Sequence, residues 1–232
     1  MPRIVLFDVD LTLVNTGGAG SQAMNLAFQE LFGVPSALAG VSLAGRTDRA
    51  ILRDLLTRHG IPPDGTGHLA AAFQELYVEK LREVLPQRQG RVLPGVRELL
   101  EALRADPATA VGLQTGNFRA SARVKLEHYG LWHLFLDGGF ADDSESRPEL
   151  VAAAIRRVRR AAGLTDGPAA VYVIGDTGHD VAAAKANGAV AVGVATGYED
   201  VAALRRHGAD LAFPDLSDVA AVLAAFQAAA PP

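Results

Sequence analysis

The 232-residue chain contains no cysteine, only three lysines, and no excess of positive charge, its net charge being −4. Without cysteine there is no disulfide and no thiolate metal site, so oxygen or nitrogen ligands must hold any metal. Without a basic surplus there is no field to gather nucleic acid or an anionic membrane surface. No apolar run reaches the roughly 18 residues of a membrane span. The opening Met1-Pro2-Arg3-Ile4 enters an apolar, strand-like stretch and meets acids at once, unlike a signal peptide. A cytoplasmic protein with neither nucleic acid nor membrane as partner is the expectation. What is present is an apolar content of 49% with 21% charged residues, an ordinary balance for a globular protein with a sizeable core. The length suits one large domain or a core with a smaller insert.

Short apolar runs end in polar turns along most of the chain. Ile4 to Phe7 stops at acids, Thr109 to Gln114 at Thr115-Gly116-Asn117, Ala170 to Ile174 at Gly175-Asp176, and Val190 to Ala195 at Thr196-Gly197. Such runs suit strands buried on both faces. Weaker strand signals lie at Leu134 to Phe140 and Ala209 to Phe213. Helical spacing fills the intervals: Pro94 to Leu103, Ala120 to Tyr129, Pro148 to Ala162, His179 to Ala186 and Ser217 to Ala228. Alternation of this kind predicts βαβ units, a parallel sheet and right-handed crossovers.

The stretch from Asn15 to Gln89 departs from the alternation. It shows three helical patterns, Ser21 to Phe32, Asp48 to His59 and His68 to Leu85, and no convincing strand. Gly17-Gly18-Ala19-Gly20 and Gln87-Arg88-Gln89-Gly90 read as its hinges. The expected organisation is an α/β, Rossmann-like three-layer core of residues 1–14 and 90–232, interrupted by a helical domain of residues 15–89.

Ligands of open parallel sheets bind beyond the carboxyl ends of the strands, and three such ends carry unusual chemistry. They are Asp8-Val9-Asp10-Leu11-Thr12, Thr115-Gly116-Asn117, and Gly175-Asp176-Thr177-Gly178-His179-Asp180. Taken singly, each acid reads equally well as a turn or cap residue. Gathered in one crevice, they repel one another and are tolerable around a hard cation. Mg²⁺ takes oxygen ligands, usually one or two protein carboxylates with water and a substrate phosphate. Asp8 and Asp176 fit, with Asp180 as a further candidate.

In order and spacing these segments resemble motifs I, II and IV of the haloacid dehalogenase-like hydrolases. The helical insert after the first motif matches a C1-type cap, and the resemblance spans almost the whole chain. It implies a phosphatase, similar to phosphoglycolate phosphatase-like members, acting on a small phosphorylated metabolite as a monomer or homodimer. Asp8 would be the nucleophile and a metal ligand. Asp10 would be the general acid and base, its backbone carbonyl also meeting the metal. Thr115 would donate its hydroxyl to the phosphoryl group, with the N–H groups of Gly116 and Asn117 beside it; a helix N-cap is its plainer role. The third motif normally supplies a lysine, whereas this chain has Arg147-Pro148 there. Arg147 is the preferred cation and Lys125 the alternative. Arg46, in the polar turn Gly45-Arg46-Thr47-Asp48, would read a substrate carboxylate or second phosphate. Leu11 replaces the glycine usual in motif I, where the backbone must turn.

Other chemistries on this fold remain as alternatives. A phosphomutase uses the same acids and transfers the phosphoryl group to a sugar. A 2-haloacid dehalogenase lacks the second acid of motif I, so Asp10 argues against it. A phosphonatase needs a cap lysine, and none lies between Asp10 and Lys80. A phosphate-binding module without catalysis finds support only in the change at motif III. Asp142-Asp143 is expected to be turn chemistry. Arg156, Arg157, Arg159 and Arg160 are expected on a solvated helix face, and His179 in a structural role.

Overall fold

A computed structural model describes residues 1–62, 67–164 and 167–229. Six parallel strands form one sheet in the order β5-β4-β1-β6-β7-β8. They are β1 (Arg3–Phe7), β4 (Thr109–Gln114), β5 (Gly138–Gly139), β6 (Ala170–Gly175), β7 (Val190–Val194) and β8 (Leu211–Phe213). β1 lies in the middle, with Phe7 opposite Leu113 of β4 on one side and Ile174 of β6 on the other. Alternate residues of a strand point to opposite faces. Val5 and Phe7 accordingly join one apolar cluster, while Ile4 and Leu6 join another. This explains the unbroken apolar run: both faces of β1 are covered by helices.

On the first face lie α4 (Val96–Ala105), α5 (Arg119–His128) and α9 (Val219–Ala228). α4 buries Val96, Leu99, Leu100 and Leu103, the i, i+3, i+4, i+7 stripe of an amphipathic helix. On the second face lie α6 (Arg147–Ala161), α7 (Gly178–Ala186) and α8 (Val201–Arg206). α8 has no counterpart in the sequence reading. It is six residues long and is opened by Asp200, whose carboxylate accepts from Ala203 N–H at 2.7 Å.

Between β1 and β4 run α1 (Ala19–Phe32), α2 (Asp48–Arg58) and α3 (His68–Val84), close to the expected spans. Their apolar faces form a cluster of their own around Phe28, Leu55, Phe73 and Tyr77, which Phe118 and Ala141 join from the neighbourhood of the sheet. The chain enters and leaves this region through an antiparallel pair, β2 (Val14–Asn15) with β3 (Arg91–Val92). Two residues per strand are too short for an alternating pattern to register in sequence. The expected strand at Leu134 to Phe140 is reduced to Gly138–Gly139, with a 3₁₀ turn at Trp132–Leu134 before it. This edge strand pairs only with β4, and a Cβ on Gly139 would crowd the backbone of Leu150. No described helix is long and apolar enough to cross a membrane.

Candidate active site

The ends of β1 and β6, neighbours in the sheet, bring Asp8 and Asp176 to the wall of one cavity, while Thr115, at the end of the adjacent β4, is buried behind Gly116 and Asn117 and does not line it. Asp8, Asp176 and Asp180 are all buried, and each offers an oxygen within 4.8 Å of the others. Asp8 follows β1, its N–H held by the Ile174 carbonyl at 2.9 Å. Asp176 follows β6, and Gly197 approaches it so closely that a Cβ there would overlap the carboxylate. Asp180 closes a capping box at the start of α7: its Oδ2 accepts from Thr177 N–H at 3.2 Å and from Thr177 Oγ1 at 2.6 Å.

Arg147, at the start of α6, is the cation among these acids. Its Nη2 bonds Asp180 Oδ1 and lies 3.4 Å from Asp8 Oδ2. Gln114, buried at the end of β4, donates to the same Asp180 oxygen at 3.0 Å. Asp180 therefore accepts from four donors, about the capacity of a carboxylate. It holds Arg147 in place, and a cation would compete with those donors for its lone pairs. Asp8 and Asp176 are left as the less encumbered pair. Burial is the main cause that pushes Asp8 up to about 6; Asp180 and Asp10 add to it and Arg147 opposes it. Burial, then the charges of Asp180 and Asp8, pushes Asp176 up to about 8. One guanidinium does not balance this negative charge, and a hard divalent cation between Asp8 and Asp176 fits the oxygen-only donor set.

A second polar group lies alongside. Lys125 of α5 is buried, and its Nζ donates to Asp10 Oδ2 and Asn117 Oδ1, each at 2.6 Å. Asn117 Nδ2 closes the triangle on Asp10 Oδ2 at 2.8 Å. Both bonds fall on Oδ2. Residue 125 faces α3 and the loop after β1 rather than solvent. Arg147 and Lys125 both line the cavity, one beside Asp8 and the other beside Asp10.

Leu11 adopts φ +58°, the left-handed conformation that a glycine would take more easily. Its carbonyl accepts from Thr196 Oγ1 at 2.5 Å and its N–H reaches the Val14 carbonyl at 2.8 Å. The turn is kept by these bonds despite the side chain. Thr115 is fully buried, and the adjoining cavity wall is formed by Gly116 and Asn117. Asn117 N–H donates to Thr115 Oγ1 at 3.2 Å, so that expected phosphate donor is already engaged.

The cavity, of about 270 Å³, is bounded on the far side by the helical insert. That lies just below the roughly 300–1,000 Å³ of small-molecule sites. Arg46 lines it, but its guanidinium is ion-paired with Asp54, one helical face along α2, and reaches the Ala50 carbonyl at 3.5 Å. Arg46 thus lines the cavity while its guanidinium is held within the insert. Asp48, passed over in the sequence as a helix start, is buried under the cavity wall. Its carboxylate accepts from Phe118 N–H at 3.0 Å and Ser121 Oγ at 3.2 Å, and its own N–H donates to the Gly116 carbonyl at 2.6 Å. Burial pushes it up to about 6, with Lys125 opposing. Further links join the insert to the loop after β5: Arg53 pairs with Glu145, and Gln74 donates to Asp142 at 3.0 Å. Asp142 also accepts from Arg119 N–H at 2.6 Å, while Asp143 binds Arg157. Both acids are turn and docking residues, and Arg157 is half-buried rather than fully solvated.

Comparison with known proteins places the architecture. The family model described as haloacid dehalogenase-like hydrolase matches residues 2–188. The "Probable phosphatase IndB" of Dickeya dadantii is 30% identical over 211 residues, covering 85% of this chain and 83% of that one. The "Phosphoglycolate phosphatase" of Chromobacterium violaceum is 30% identical over 226 residues, covering 94% of each. Among solved structures, a hydrolase from Pseudomonas syringae superposes with a TM-score of 0.70 at 24% identity, covering 97% of this chain and 99% of its own. CbbY from Rhodobacter sphaeroides, solved in complex with phosphate, gives a TM-score of 0.68 at 20% identity, covering 94% and 96%. The chain belongs to the haloacid dehalogenase-like hydrolases, and it is a phosphatase of that family.

Proposed function

We propose that the chain hydrolyses a small phosphomonoester through an aspartyl-phosphate intermediate, with Mg²⁺ between Asp8 and Asp176. The observation that carries this reading is the crowding of buried carboxylate oxygens at the ends of β1 and β6, beside one arginine and at the base of a cavity. Bound Mg²⁺ supplies charge neutralisation for the phosphoryl oxygens and for both carboxylates.

An Asp8 oxygen attacks phosphorus as the bond from phosphorus to the leaving alcohol oxygen breaks. Asp10 gives its proton to that oxygen. A water then attacks the phosphorus of the aspartyl phosphate, Asp10 takes the water's proton, and phosphate leaves with Asp8 restored. Arg147 steadies Asp8 and offers charge to the phosphoryl oxygens, with Thr115 Oγ1 and the Gly116 backbone as further donors. Lys125 and Asn117 hold Asp10 in place. Residues 15–89 act as the cap, which excludes water and contacts the leaving group.

Asp8→Asn is the direct test. The substitution keeps size and burial while removing the nucleophile, and Mg²⁺-dependent hydrolysis of p-nitrophenyl phosphate is expected to disappear with the circular dichroism spectrum unchanged. Full turnover in that variant sinks the nucleophile assignment. Isomerisation of a sugar monophosphate without phosphate release by the unaltered protein would favour the phosphomutase instead.

A further inference from the structure

The cavity also carries information about the leaving group, an inference that rests on the phosphatase reading above. Three cationic side chains line it, Arg46, Lys125 and Arg147, and each already answers a carboxylate. Arg147 sits between Asp8 and Asp180, and Lys125 is bound to Asp10. Arg46, the one cation that the insert contributes to the lining among the described residues, is paired with Asp54. The rest of the insert wall pairs the small or apolar Gly18, Met24, Leu43, Ala44 and Ile51 with the uncharged polar side chains of Asn15, Thr16 and Tyr77, so that it adds hydrogen-bonding groups but no further positive charge. Ser21 adds a hydroxyl, which donates to the Gly18 carbonyl at 3.0 Å.

A charged group that leaves water needs a partner, because desolvation otherwise exceeds whatever contacts it gains. A phosphoryl group can draw on Arg147, beside Asp8 at the strand ends, whereas Lys125 lies on the side of the insert, where Asp10 and Asn117 already hold it. A second anion on the same substrate would enter the insert side of the cavity, facing Asp10 and Asp48, and among the described residues it meets no unpaired cation there. We infer that the substrates of this chain carry an uncharged leaving group, a small alcohol or polyol, and that carboxylated phosphates are poor substrates. On this inference phosphoglycolate, the substrate for which the Chromobacterium violaceum relative is named, is poorly hydrolysed by this chain.

Matched pairs test this. 2-Hydroxyethyl phosphate is compared with 2-phosphoglycolate, and glycerol 3-phosphate with 3-phosphoglycerate, by phosphate release in Mg²⁺. The neutral member of each pair is expected to have the higher kcat/KM, by on the order of tenfold, the worth of one charged hydrogen bond. Asp54→Ala, at an exposed position outside the site, frees Arg46. It is expected to raise kcat/KM for the carboxylated members by about tenfold and to leave p-nitrophenyl phosphate hydrolysis unchanged. Carboxylated members turned over as well as the neutral ones by the unaltered protein, or no gain on them in Asp54→Ala, would overturn the inference. No release from any compound, p-nitrophenyl phosphate included, sinks the phosphatase reading itself.

Discussion

At Gly116 the active-site loop meets the helical insert backbone to backbone, so Gly116→Ala isolates what that closeness contributes. A Cβ at Gly116 would lie 3.0 Å from the Arg46 carbonyl carbon and 3.1 Å from Thr47 Cα, with Arg46 O nearer still, whereas ordinary contact starts near 3.4 Å. All of these atoms are backbone, so no side chain can rotate away, and the loop at Arg46 and Thr47 must retreat by about 1 Å. That retreat strains the bond from Asp48 N–H to the Gly116 carbonyl and unseats the Asp48 carboxylate from Phe118 and Ser121. A misplacement of about 1 Å costs catalysis roughly 10²-fold, and overpacking costs stability roughly 1–3 kcal/mol. The assay is kcat/KM by phosphate release beside a thermal melt. Gly112→Ala is the control: its Cβ would crowd Val158, and the Asp137 carbonyl at 2.9 Å, inside the core. It should lower the melting temperature comparably while the folded molecules keep their kcat. Gly116→Ala with undiminished kcat/KM, or Gly112→Ala with the same kinetic loss, would refute the claim that the insert's seat on Gly116 sets the active geometry.

Asp8 and Asp176, raised to about 6 and about 8, bind protons more readily folded than unfolded, where an aspartate titrates near 3.9. In EDTA, their contribution to stability should fall as pH rises through that window. Mg²⁺ requires the deprotonated carboxylates, so its stabilisation should grow with pH. At a concentration of about 100 Kd it is worth about 2.7 kcal/mol, some 5–11 °C for a chain of this size. Melts with EDTA or Mg²⁺ at about pH 5.5 and about pH 8 check this, and an equal shift at both refutes it. Arg147→Ala leaves Asp8 and Asp180 without their guanidinium, and losing one partner of a buried ionic group costs roughly 3–5 kcal/mol. Urea unfolding measures the loss; a change below about 1 kcal/mol would mean that the group is not stabilising.

The strands, most helices and the acids at the strand ends were legible in the sequence because each is written locally. An apolar run such as Ile4 to Phe7 needs both faces covered, the 3.6-residue period of Val96 to Leu103 fixes a helix face, and an acid just past a strand end has one place to go in a parallel sheet. The pair β2 and β3, the six-residue α8 and the two-residue β5 were too short to leave a period. What only the tertiary structure decided is which charge answers which. Lys125 of α5 is buried against Asp10, Arg46 is held by Asp54, and Asp180, clustered with Asp8 and Asp176, also accepts from Gln114, Arg147 and Thr177. These partners are separated by up to 115 residues in the chain. Periodicity and spacing record only near neighbours, whereas the free energy of a buried charge depends on whatever the fold brings within a few ångströms of it.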